Sequence, residues 1–217
     1  MKPDYTHFTV VMDRSGSMQA IQSDTEGGLN AFFEKQKAEP GTATGSLTSF
    51  DDRIEFEYSF KDLKEIPTFT LNPRGFTALY DAIGLTLVKL EKEIEAIPEN
   101  DRPEKVIVVI VTDGEENHST EYTSDQIQAM IKKYTEEFKW EFVFLAANQD
   151  AIKTAKHIGI GAGKALSFAT SSKGIGDTYT SLSCQVSAYR GMKGQDLARG
   201  IEFTDEDRQK QRDEGAL

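Results

Sequence analysis

A chain of 217 residues is long enough to bury a substantial core, and 38% hydrophobic with 28% charged residues is the balance of an ordinary globular protein. Acidic residues outnumber basic ones by 36 to 25, a formal charge of −11. That excess argues against nucleic acid or an anionic membrane as partner, since both need a cationic surface, and is compatible with a divalent cation or a basic protein.

The N-terminal run MKPDYTHFTVVMD lacks the long apolar core of a secretory leader, and no stretch approaches the ~18 apolar residues of a membrane helix. A cytoplasmic protein is expected, for which the sequon-like Asn117-His118-Ser119 has no meaning. The single cysteine, Cys184, excludes an intramolecular disulfide.

Phe8 to Met12 (FTVVM) is a short, β-branched and aromatic run of the kind that suits a strand buried on both faces, and it ends in Asp13. Ser15 and Ser17 follow at alternate positions. Met18, Ile21, Leu29, Phe32 and Phe33 then sketch a first helix, weakened in its middle by Gly27 and Gly28. Leu47–Phe50, the turn Asp51-Asp52-Arg53, and the alternation of Ile54, Phe56, Tyr58 and Phe60 with Glu55, Glu57 and Ser59 read as a hairpin with a half-exposed edge strand. The acidic outer face discourages edge-to-edge pairing.

Leu79, Ala82, Ile83, Leu87, Leu90, Ile94 and Ile97 recur at helical spacing. Val106 to Val111 (VIVVIV) is a second buried strand, ending in Thr112-Asp113. Ile127, Met130, Ile131, Tyr134 and Phe138 form another helical stripe behind a capping box at Thr123 and Gln126. Phe142 to Ala147 (FVFLAA) is a third buried strand, ending at Asn148. The glycine-rich GIGAGKA from Gly159 to Ala165 fits neither phosphate-loop pattern, because Ile158 stands where Walker A needs its first glycine and because Gly159, Gly161 and Gly163 are evenly spaced where G-x-G-x-x-G is not, and is expected to be a flexible turn. Ala165 to Ala169 follow as a short last strand, and Ile175, Tyr179, Leu182, Val186 and Tyr189 as a last amphipathic helix that holds Cys184 as a small buried or half-buried residue. After Lys193 the chain turns polar and ends in TDEDRQKQRDEGAL, expected to be a solvated helix or disordered.

Strands alternating with helices give a layered α/β fold with a mostly parallel sheet, in one domain over residues 1–192 followed by a polar tail, 193–217. Open sheets of this kind bind ligands beyond the carboxyl ends of their strands. Asp13, with Ser15 and Ser17, stands at one such end and Asp113 at another. Asp13 and its serines could serve as a helix cap, a nucleophile or part of a metal site. Two neighbouring carboxylates repel each other unless a divalent cation joins them. Hard cations take oxygen ligands, and serine or threonine hydroxyls fill a coordination shell without adding charge.

Three motifs in order, DRSGSM at Asp13–Met18, GFTALYDAI at Gly75–Ile83 and VTDGEEN at Val111–Asn117, resemble those of a von Willebrand factor A (VWA) domain with its metal-ion-dependent adhesion site. The likeness runs from about Tyr5 to about Arg190, and a lone domain without leader or anchor resembles the stand-alone forms of bacteria and their viruses. It implies an open, doubly wound six-stranded sheet of order 3-2-1-4-5-6 with one short antiparallel edge strand and helices on both faces. It further implies that Asp13, Ser15, Ser17, Thr77 and Asp113 hold Mg²⁺, Mn²⁺ or Ca²⁺, and that an Asp or Glu of a partner protein completes the shell. A near-neutral shell of two carboxylates and uncharged hydroxyls leaves the cation attractive to that anionic oxygen.

One departure stands out. Phe76 precedes Thr77 where the family often has small residues, and it either shapes the partner surface or packs underneath. Asp81 is either an outer residue behind the metal or a solvated helix position. Glu115 and Glu116 either line the partner surface or, as is more usual, are solvated, and His7, His118 and His157 lack zinc-site spacing. A binding module rather than an enzyme is expected. The alternatives are Mg²⁺-dependent phosphoryl transfer through Asp13, weakened because Ser15 stands where such enzymes carry a second aspartate, and a structural or assembly role.

Overall fold

The computed structural model describes residues 1–147 and 151–216; the expected strand end at Asn148 lies outside them. The elements in chain order are β1 (Lys2–Asp13), α1 (Gln22–Ala38), β2 (Thr42–Phe50), β3 (Ile54–Asp62), α2 (Leu79–Ala96), β4 (Pro103–Thr112), α3 (Ser124–Phe138), β5 (Glu141–Ala147), α4 (Ala151–His157), β6 (Ala165–Phe168), α5 (Ser172–Gly191) and α6 (Asp205–Asp213). One six-stranded sheet runs β3-β2-β1-β4-β5-β6, antiparallel only between β2 and β3, as the resemblance implies.

The central strands read as continuous apolar runs because both faces of the sheet are covered. Phe8, Val10 and Met12 of β1 and Ile107, Val109 and Val111 of β4 face α1 and α5. Val11, Val106, Val108 and Ile110 face α2 and α3. Each fully buried side chain of this size contributes about 1.5–3 kcal/mol, so β1 and β4, with buried residues on both faces, tie the two layers together.

α1 passes through Gly27 and Gly28 without a break. A Cβ on Gly28 would stand 2.1 Å from the Tyr179 ring of α5, so the glycine that weakens the isolated helix is what lets the two helices touch. α3 begins with the expected capping box of Thr123 and Gln126.

β3 departs from a simple two-faced strand. Irregularities in its pairing with β2 at Gly45–Thr48 send Tyr58 to the α1 face, while Ile54 and Phe60 stay on the α2 face. Phe60, at φ 47°, lays its ring on that of buried His7 at 3.8 Å.

The polar C-terminal segment corrects an expectation. Ile201 and Phe203 join the core between α5 and the sheet, and α6 docks along β6. Its polar side chains satisfy backbone groups near the sheet edge: Arg208 donates to the carbonyls of Ala165 and Ala162 at 2.7 Å each, while the Gln211 amide accepts from Ala169 N at 3.0 Å and donates to Gly174 O at 3.0 Å. A helix attached through hydrogen bonds needs no apolar stripe, which is why composition alone reads it as free.

Cys184 is exposed rather than buried, 3.3 Å from Lys35 Nζ, because it lies two residues past Leu182 on the outward side of α5. No helix among the described residues is long and apolar enough to cross a membrane.

Candidate metal centre

β1 and β4 are paired neighbours, and their carboxyl ends bring the first and third motifs together. Asp13 is fully buried at the end of β1. Its Oδ1 accepts from Ser15 N at 2.7 Å, closing the tight turn that follows the strand, and its Oδ2 accepts from Thr112 Oγ1 at 2.5 Å. Ser15 Oγ lies 3.1 Å from Ser17 Oγ, and Ser17 Oγ donates to Asp113 Oδ1 at 2.6 Å. Thr77 is buried at the mouth of α2; a methyl built on Gly114 would lie 3.3 Å from its Oγ1 and 3.6 Å from Ser17 Oγ. All five residues singled out in the sequence therefore converge on one spot.

Backbone and side-chain ties cross-link the three loops. Gly16 N donates to Gly75 O at 3.3 Å and Arg74 N to Arg14 O at 2.8 Å, joining first to second. Thr77 N donates to Asn117 Oδ1 at 3.0 Å and Asn117 N to Thr77 O at 3.1 Å, joining second to third. Glu116, expected to be solvated, instead accepts from Tyr80 N, His118 N and Ser119 N at 2.7–2.9 Å. Asp81 is neither solvated nor tied to the loop hydroxyls: its carboxylate accepts from the backbone N–H groups of Thr120, Glu121 and Tyr122 at 2.8–2.9 Å and so holds the descending third loop against α2.

An ion-pair cluster beside these loops has no local signature in the sequence. Asp51, fully buried at the end of β2, accepts from Arg14 Nε at 2.9 Å and Arg74 Nε at 2.7 Å, and Glu55 takes the other ends of both guanidinium groups at 2.7–2.8 Å. Arg14 sits inside D-x-S-x-S and Arg74 just before Gly75, so the cluster rivets the first two loops to the sheet. Burial works to raise the Asp51 pKa, but hydrogen bonds from Arg74 and the Arg53 amide and the charge of Arg14 carry it below the usual range. Hydrogen bonding to Arg14 draws Glu55 down to about 2. These carboxylates stay ionised; the pair facing the loops behaves in the opposite way.

Burial pushes Asp13 up to about 6, against the hydrogen bonds from Thr112 and Ser15 and with the help of the Asp113 charge. Burial likewise raises Asp113, against its hydrogen bond from Ser17. Two desolvated carboxylates with three hydroxyls around them form an all-oxygen donor set that suits a hard divalent cation. Among the described residues no group of three or more His, Cys, Asp or Glu side chains that could hold a metal ion occurs, so any cation here would rely on the hydroxyls as well as the two carboxylates. Phe76 does not pack underneath. It is 60% exposed and stacks on the exposed His118 ring at 5.0 Å, flanking Thr77.

No protein-family model and no curated protein matches the chain. Solved structures do. Proximal thread matrix protein 1 from the mussel byssus, in a form with a zinc-occupied MIDAS motif, aligns at TM-score 0.61 and 13% identity over 86% of this chain and 47% of its own. The vWF domain of the type V pilus tip protein Mfa5 from Porphyromonas gingivalis aligns at 0.61 and 9% identity, covering 89% and 98%. A von Willebrand factor type A protein from Catenulispora acidiphila aligns at 0.58 and 11%, covering 83% and 42%. The chain thus spans about half the length of the mussel protein and nearly all of the pilus domain. At these identities the likeness is one of fold, and the fold is that of a VWA domain.

Proposed function

We propose that the chain is a metal-dependent protein-binding module in which Asp13, Ser15, Ser17, Thr77 and Asp113 hold a divalent cation and a partner protein supplies an Asp or Glu carboxylate to it. The observation that carries this reading is the chain of short contacts from Asp13 through Ser15 and Ser17 to Asp113, built by three cross-linked loops. When bound, the cation supplies Lewis acidity toward an anionic oxygen. The carboxylates contribute its charge balance, the hydroxyls leave that balance near neutral, and the loop cross-links keep all five groups in place before binding. The relatives with a MIDAS motif or a pilus-tip role support the adhesion class by analogy of fold.

Binding rather than phosphoryl transfer is supported by the state of Asp13. Both of its oxygens already accept hydrogen bonds and the side chain has no exposed surface, a poor position for an attacking nucleophile. The test is capture of partners by the immobilised protein in Mg²⁺, Mn²⁺ or Ca²⁺ and in EDTA, with calorimetric titration of each metal. The expected result is loss of both metal uptake and the captured partner in Asp113→Ala and Thr77→Ala. Partner binding that persists in EDTA and survives Thr77→Ala would refute it.

A further inference from the structure

At the end of the sheet opposite the candidate metal centre, where β2 begins, a cleft of about 160 Å³ is lined by Lys37, Glu39, Thr42, Asp62, Lys64 and Arg190 with a few smaller groups. Arg190 is its most unusual member, a guanidinium that is only 7% exposed. Its Nη1 donates to Gln36 O at 2.7 Å and Gln36 Oε1 at 3.1 Å, and its Nη2 donates to Pro40 O at 3.1 Å. These bonds cap the carboxyl end of α1, an ordinary role for a cation. They give the Nε–H no acceptor among the described residues and engage Nη2 once, and the Nε/Nη2 edge of a guanidinium is one that grips a carboxylate in bidentate fashion.

Lys105 stands behind it, 1% exposed, its Nζ donating to Arg190 O at 2.6 Å and Met192 O at 2.8 Å. Among the described residues neither cation has a carboxylate within ion-pair distance, in a chain with eleven more acidic than basic side chains. The acceptors of these two buried cations are all neutral groups, and the charges of Glu39 on Arg190 and of Glu104 and Asp4 on Lys105 reach them only through space, so the arrangement lacks an anion in contact with it. An anionic group on the open edge of Arg190 completes it.

The cleft also holds its own acids. Glu39 makes no side-chain hydrogen bond or ion pair among the described residues, and Asp62 uses Oδ1 to accept from Lys64 N at 2.9 Å. A dianion would be repelled by them; a molecule carrying both signs is matched at both ends. The volume is room for about five waters at ~30 Å³ each, the size of glycine, alanine or serine. We propose that this cleft binds a small zwitterion of the α-amino-acid class, its carboxylate on the Nε/Nη2 edge of Arg190 and its ammonium group toward Glu39 and Asp62.

The test is nitrogen-15 NMR of the intact chain, following Arg190 Nε–H and the amides of Gly41 and Thr42 during titration with glycine, alanine, serine, acetate and inorganic phosphate. The expected result is saturable shifts with at least one amino acid bound about tenfold more tightly than acetate or phosphate. Glu39→Gln is expected to erase that preference. Thr42→Phe, which fills the cleft and leaves the α1 cap intact, abolishes the shifts even if Arg190→Gln fails to fold. Acetate or phosphate binding as tightly as every amino acid overturns the zwitterion assignment. So does the absence of saturable shifts with all three amino acids, and so does binding unaltered in Thr42→Phe.

Discussion

Replacing Asp13 with Asn removes one of the two carboxylates while keeping the shape of the turn, since the amide oxygen still accepts from Ser15 N and Thr112 Oγ1 turns to accept from the amide nitrogen. A carboxyl whose folded pKa is raised binds protons more readily in the native state. Its stabilising contribution is therefore complete below the unfolded value of 3.8 and is lost as pH rises through about 6. The difference of about two units corresponds to a ceiling of about 3 kcal/mol of destabilisation above about pH 7, borne by the ionised carboxylate without metal. In EDTA, Asp13→Asn is thus expected to be more stable than wild type by up to about 3 kcal/mol, a rise in melting temperature of about 6–12 °C for a domain of this size. Near pH 4 the two converge, because wild type is then protonated. Adding Mg²⁺ above about pH 7 closes and then reverses the gap: wild type gains about 2.7 kcal/mol at a hundredfold excess over Kd and about 4.1 kcal/mol at a thousandfold excess, and the variant gains little. The assay is thermal melting by circular dichroism at both pH values, with EDTA and with Mg²⁺. A variant that melts below wild type in EDTA at the higher pH, or one that keeps the full response to Mg²⁺, refutes the argument that Asp13 is a desolvated, cation-seeking carboxylate.

Burial lowers His7 to about 3, so this neutral imidazole, held between Thr44 and Ser46 and beneath Phe60, disfavours protonation in the native state. Its contribution is present above about pH 6.5 and declines as pH falls toward 3, by about 2 kcal/mol at pH 5, and urea titrations of His7→Gln should show a shallower acid slope. Asp51→Ala strips the buried acceptor from Arg14 and Arg74 and is expected to cost about 3–5 kcal/mol, with weaker metal uptake because both loops loosen; a loss under about 1 kcal/mol would show that the cluster is incidental. Truncation after Arg199 removes Ile201, Phe203 and α6. Two buried side chains of this size are worth about 3–6 kcal/mol, so the shortened chain is expected to have a much lower urea midpoint, and an unchanged midpoint would show that the segment is dispensable.

Much of the fold was legible because its central strands are covered on both faces, which makes β1, β4 and β5 uninterrupted apolar words between polar punctuation. Asp13, Ser15, Ser17 and Asp113 stood out because carboxylates and hydroxyls at strand ends make an oxygen donor set without excess charge, whereas Thr77 was legible only through the resemblance of GFTALYDAI to a VWA loop. The ion pairs were not legible. Arg14 and Asp51 stand 37 residues apart and Asp51 and Arg74 23 apart, and only the sheet brings them together. The face of Tyr58 was hidden for a similar reason, since a bulge cannot be read from alternation that it leaves intact. α6 was obscured by its own means of attachment, and Asp81 and Glu116 by a role toward backbone amides that no side-chain pairing announces.

The helix that covers the β6 edge has a consequence for how the chain emerges from the ribosome. β6 ends at Phe168 and α6 begins at Asp205, so 36 residues (169 to 204) lie between the strand and its cover. At about 5–20 residues per second, that interval leaves the strand unsealed for about 2–7 s of synthesis. A long, flat strand uncovered for that time would be a template for neighbouring nascent chains. β6 is four residues long, Ala165–Phe168, too short to recruit a foreign strand with much force. The brevity of the last strand and the lateness of its cover thus belong together as one solution to vectorial folding.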